Sequence, residues 1–101
     1  MEEKERAFEV INILGVPYRL KFVDFISKEE LRIGEIDYLN QEILILSGMA
    51  REVQYITILH EVMHGILEQL GFEESQEEHL IQGLANGLFQ VLHENELFKR
   101  I

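Results

Sequence analysis

The chain has no cysteine and no tryptophan, and only one proline. Without cysteine there are no disulfides, and any metal site must draw on His, Asp and Glu. Missing thiols fit a reducing compartment, and the charged start Met1–Arg6 lacks a signal-peptide pattern, so a cytoplasmic protein is expected. No apolar run approaches the ~18 residues of a membrane span. Cations are scarce too: nine Lys and Arg stand against nineteen Asp and Glu, for a net charge of −10. Such a chain repels a phosphate backbone and offers no basic patch, which argues against nucleic acid as a partner. Repeats, low-complexity tracts and linkers are absent as well. Apolar residues make up 47% of the chain, enough for one globular domain spanning residues 1–101.

Periodicity gives a coarse order of elements. Ala7, Val10, Ile11 and Leu14 recur at helical spacing, which predicts an N-terminal helix over Glu2 to Leu14, ended by Gly15 and Pro17. Tyr18, Leu20 and Phe22 alternate with Arg19 and Lys21, a strand signal running to Phe25. Ser27 to Leu31 reads ambiguously, with a turn of helix as one option. Gly34–Tyr38 and Glu42–Leu46 read as two strands of a hairpin around Asn40-Gln41. Ile43-Leu44-Ile45-Leu46 is apolar on both faces, as a covered strand is. Arg51 to Leu70 is a long helix stopped by Gly71, and a last helix spans about Ser75 to Asn95, with Ser75 and Glu78 as a possible capping box. The expectation is an α+β domain with a small, three-stranded antiparallel sheet covered by the long helix.

The long helix carries His60-Glu61-Val62-Met63-His64, an H-E-x-x-H string. Residues four apart share a helix face, so two imidazoles can address one metal ion. Glu61, about 100° round the helix, could accept a proton from a water held there. Both histidines border an apolar stripe made of Ile56, Leu59, Met63 and Ile66, where an imidazole needs a partner. The plain alternative is an ordinary helix with two histidines near the core.

Catalytic zinc commonly takes three protein ligands, so a third is sought. The last helix is the natural source, because Gly71 to Glu74 is a short turn that folds it back. Glu77, Glu78 and His79 compete. Glu77 and Glu78 both sit on or beside the helix's buried stripe, whereas His79 lines up with Gln82, Asn86, Gln90 and His93 on a polar face. Glu78 ranks first and His79 is the alternative, with Glu77 close behind. The other acidic residues of this region read as a solvated loop.

Thr57-Ile58-Leu59-His60-Glu61-Val62-Met63-His64-Gly65-Ile66 resembles the T-L-x-H-E-x-x-H-x-I segment of small phage and prophage zincins, broadly the gluzincin-like ImmA/IrrE peptidase group. Glu77-Glu78 and the stretch Leu84 to Asn95 are similar to a second segment of those proteins, and the hairpin with Gly34, Ile36, Asp37 and Ile43 to the region upstream. The likeness covers about residues 33 to 96. It implies a minimal zincin core, zinc on His60 and His64, Glu61 as general base and a glutamate as third ligand, carried by position to Glu78. One departure stands out: such sequences place a Glu three residues before an Ala-Asn pair, and here that residue is Gln82, before Ala85-Asn86. A ligand belonging at that position would be missing.

The expected activity is zinc-dependent hydrolysis of a peptide or protein substrate, with the substrate extended along an edge strand, taken as Glu42–Leu46. Tyr38, Tyr55 and His93 are candidates for stabilising the oxyanion. Gly83 and Gly87 read as sites of close helix packing. The alternative is a non-catalytic, zinc-stabilised interaction protein of phage or prophage type. The oligomeric state stays open; Leu97, Phe98 and Ile101 could cover a partner subunit.

Overall fold

The computed structural model describes residues 9–27 and 32–95. Among these residues four strands and two helices form an α+β fold: β1 (Glu9–Ile13), β2 (Val16–Val23), β3 (Gly34–Asp37), β4 (Glu42–Leu46), α1 (Arg51–Leu70) and α2 (Glu78–Asn95). A single 3-10 turn, Glu73–Gln76, lies between the helices.

The sheet corrects the sequence reading in two ways. Residues 9–13 are a strand, not the end of a helix; the remainder of the expected helix, residues 2–8, lies outside the described residues, as do residues 28–31 of the ambiguous segment. Helical spacing was present there, but so was alternation: Ile11 and Ile13 face the core while Val10 is exposed and Asn12 points the other way. Leu14 (φ 49°) and Gly15 (φ 91°) make a two-residue turn with both central residues left-handed, and this geometry pairs Ile13 with Val16 in a tight hairpin. The sheet is also mixed rather than antiparallel. Its order is β1-β2-β4-β3, with β4 parallel to β2 and antiparallel to β3. The connection after β2 carries the chain past β4 to the far edge. The hairpin around Asn40-Gln41 then returns β4 to the middle, with Asn40 donating from its backbone N and from Nδ2 to the Asp37 carboxylate.

One face of the sheet holds the core: Ile13, Tyr18, Leu20, Ile43 and Ile45 are buried, with Ile58, Val62 and Ile66 of α1 packed against them. Helix α1 lies close to the sheet because two glycines permit it. A Cβ on Gly65 would stand 2.8 Å from Ile13 Cδ1, and one on Gly34 only 2.5 Å from Thr57 Cγ2. The residues of α1 that are buried are Thr57, Glu61, His64 and Gly65, a stripe at i, i+4, i+7 and i+8. The H-E-x-x-H string therefore lies on the stripe that meets the sheet.

Gly71 ends α1 as expected. It is left-handed (φ 83°), and the paired bonds Gly71 N–H to Glu68 O and Phe72 N–H to Leu67 O form a Schellman closure. The turn that follows aims α2 back along α1. There is no capping box: Ser75 belongs to the 3-10 turn, is buried, and donates its hydroxyl to Glu68 Oε1 at 3.0 Å. Helix α2 starts at Glu78, three residues later than expected.

Candidate metal centre

Three side chains from two helices meet at one point. His60 Nε2 and His64 Nε2 are 3.2 Å apart, and the Glu78 carboxylate reaches both, with Oε1 at 2.9 Å from His60 Nε2 and Oε2 at 3.2 Å from His64 Nε2. Of the three competitors for third place, Glu78 is the residue brought to the histidines. His79 and Glu77 are exposed and lie outside the cluster. The cause is the late helix start, which puts Glu78 in the first turn of α2 with its side chain aimed at α1.

The other ring nitrogens are already committed. His64 Nδ1 donates to the Ser75 carbonyl, and His60 Nδ1 lies 2.9 Å from Gln82 Oε1. The Ser75 carbonyl only accepts, so His64 carries its proton on Nδ1, and the Gln82 oxygen facing His60 Nδ1 favours the same tautomer there; each Nε2 then offers a lone pair to an ion at the centre. Two lone pairs and a carboxylate thus converge with no donor of their own. Something positive, a proton or a metal ion, has to sit among them. Two imidazoles and one carboxylate, each imidazole with its far nitrogen hydrogen-bonded to the protein, are donors of the kind that could hold a metal ion. The residues fit a divalent metal.

Glu61 stands beside this cluster, buried under the edge of the sheet. Burial pushes its carboxyl above the usual range; His60 and His64 oppose that, Glu78 adds to it, and Arg32 opposes it. Gly34 presses on it: a Cβ there would stand 2.9 Å from Glu61 Oε2. The backbone of β3 therefore forms a wall against the carboxylate. Sequence patterning did not single out Gly34 for this contact, which depends on a helix and a strand far apart in the chain.

The cluster lies in an open cleft of about 670 Å³, with β3 on one side and α2 on the other. The edge strand beside the cleft is β3; Glu42–Leu46, expected at the edge, is central because β2 and β3 both pair with it. The Leu46 N–H bonds to Ile33 O, and the antiparallel ladder alternates, so Gly34 and Ile36 turn their N–H and C=O groups away from β4. Both residues line the cleft.

The oxyanion candidates separate. Tyr38 lines the cleft; its hydroxyl is buried with no hydrogen-bond partner among the described residues, and burial, with Glu68 next in effect, pushes its pKa up to about 12. It is a proton donor at any neutral pH. Tyr55 and His93 instead line a separate apolar groove between the helices, where His93 stacks on Phe89 at 5.2 Å. Gly83 and Gly87 make no close packing either, since a Cβ on each would meet nothing within 4 Å. The sequence also placed Gln82 and Asn86 on a polar face with His79, Gln90 and His93; of these residues, Gln82 and Asn86 line the cleft.

Compared with protein-family models, with curated proteins and with solved structures, the chain has no match in any of the three. Among the described residues, no helix is long and apolar enough to cross a membrane.

Proposed function

We propose that this chain is a zinc-dependent metallopeptidase of zincin type. The observation that carries the reading is the convergence of His60 Nε2, His64 Nε2 and the Glu78 carboxylate, with both Nδ1 atoms occupied elsewhere and a buried glutamate alongside. Zinc, when held there, supplies Lewis acidity: it acidifies water and polarises a carbonyl. Glu61 is the general base. It takes the proton of the attacking water and passes it to the leaving amine, and burial, by raising its pKa above the ordinary carboxyl value, makes it a stronger base. Burial of Glu61 keeps competing water from its carboxylate, and the Gly34 backbone fixes where that carboxylate stands.

The substrate is an extended peptide laid along β3. Gly34 and Ile36 offer it main-chain donors and acceptors one residue apart on the same side, the spacing that a new strand needs. The exposed apolar side chains of Ile33 and Val53 line the cleft and would accept apolar side chains of that peptide.

Metal analysis and a peptide-library assay test the reading together. Wild type should hold about one zinc per chain and cleave peptides. Glu61→Gln should keep the zinc and lose cleavage by a factor on the order of 10²–10⁴. Unchanged cleavage in Glu61→Gln removes Glu61 as base. Zinc without cleavage in wild type replaces the peptidase with the non-catalytic, zinc-stabilised module.

A further inference from the structure

Gln82 is the residue that departs from the pattern of the resemblance, and the structure gives it specific contacts. Its Oε1 lies 2.9 Å from His60 Nδ1, and its Nε2 lies 3.1 Å from Asn86 Oδ1. Glu78, Gln82 and Asn86 follow one another at four-residue intervals, so they form a single line along the face of α2 that meets α1. Glu78 and Gln82 bracket the His60 ring, one at each nitrogen.

An amide side chain can present either its oxygen or its NH₂ to a neighbour, and the two choices have opposite consequences for an imidazole. Oxygen toward Nδ1 requires a proton on Nδ1 and frees the Nε2 lone pair. The NH₂ toward Nδ1 requires a bare Nδ1 and puts the proton on Nε2, where a metal would bind. Gln82 alone does not decide between them. In the structure Asn86 Oδ1 accepts from the Gln82 NH₂, an arrangement that goes with the Gln82 oxygen facing His60. His64 has no need of such a device, because its partner is the Ser75 backbone carbonyl, which only accepts.

We propose that Gln82 and Asn86 are a positioning pair that fixes the tautomer of His60 and so sets the metal affinity of the site. The proposal rests on the metal-site reading above. Both side chains are exposed enough that the core does not require them, and neither touches the metal position. A second glutamate four residues from Glu78 on the same face would repel it, and the neutral Gln82 does not.

The test measures zinc affinity by competition with a chromophoric chelator, for wild type, Gln82→Leu, Asn86→Ala and the double variant, with unfolding of the metal-free proteins as a control. Gln82→Leu should bind zinc about 10–100-fold more weakly, the usual effect of losing such a partner. Asn86→Ala should lose less, and should lose nothing further in the Gln82→Leu background, because it acts only through Gln82. Nitrogen-15 NMR of His60 should show a protonated Nδ1 in zinc-loaded wild type whose proton exchanges faster with water in Gln82→Leu. Wild-type affinity in Gln82→Leu overturns the proposal, as does an Asn86→Ala effect that is the same in both backgrounds. If wild type takes no zinc, the metal reading fails by itself. The same NMR measurement on metal-free protein then decides about Gln82: a protonated Nδ1 that Gln82→Leu loses keeps the positioning role, and identical spectra remove it.

Discussion

The two helices that supply the centre are held very differently. Helix α1 rests on the sheet along its whole middle: Thr57, Glu61, His64 and Gly65 are buried, and the flanking Ile58, Val62 and Ile66 pack into the core. Helix α2 buries only Ile81 and Ala85, and exposes Leu80, Leu84, Val91 and Leu92. The three converging side chains follow the same division. The His64 and His60 side chains are 7% and 15% exposed, but that of Glu78 is 68% exposed. One half of the site is therefore built into the fold, and the other half is brought to it. A metal ion would bind the fixed half to the loosely held half, and would be part of what keeps α2 in place.

The largest expected effect follows directly. Zinc at a hundredfold excess over its Kd should stabilise the protein by about 2.7 kcal/mol, a Tm increase on the order of 10 °C. His64→Ala should abolish both the binding and the increase. Amide hydrogen exchange sharpens the comparison: zinc should raise protection mainly in α2, while the sheet-facing amides of α1 change little. Equal gains in both helices would break the distinction.

A smaller effect concerns Glu61 on the well-held side. Its carboxyl titrates above the ordinary value because burial disfavours its charge. The native state then keeps the proton to higher pH than the unfolded chain does, so stability present at low pH is lost as pH rises through the raised value. Metal-free Glu61→Gln escapes this loss. In urea melts with chelator it should be more stable than wild type at neutral pH, with the gap closing below about pH 4. A gap independent of pH would mean that packing, not ionisation, separates the two proteins.

The smallest effect lies on the lightly held side. Gly83 and Gly87 sit inside α2, and a methyl group at either meets nothing within 4 Å. Gly83→Ala and Gly87→Ala should each stabilise the protein by about 0.5–1 kcal/mol, by limiting the unfolded chain and favouring helix. A loss of stability at either position would show that α2 packs against something there.

What could be read from the sequence was local. The H-E-x-x-H string, the helix around it, its stop at Gly71 and the first place of Glu78 among the candidate ligands all rest on spacing within one helix or across one short turn. What could not be read depended on partners distant in the chain. Residues 9–13 satisfied both helical and alternating patterns, and the pairing of Ile13 with Val16 decides between them. No pattern within β4 reveals that β2 lies parallel to it, so the edge was assigned to the wrong strand of the hairpin. Gln82 looked like a missing ligand because identity along a sequence does not reveal which nitrogen of which imidazole a side chain faces.

Among the described residues no strand pairs with the outer edge of β3, and that edge has a consequence for the protein at high concentration. An edge that can accept a substrate strand can accept the same edge of another copy, the usual start of sheet-to-sheet aggregation. Two of the four residues of β3, Glu35 and Asp37, are acidic, and the whole chain carries −10. Each copy therefore meets the next with like charge at the strand where pairing would begin. That repulsion is screened over about 8 Å at physiological salt, so added salt weakens the barrier between copies while leaving the edge itself unchanged.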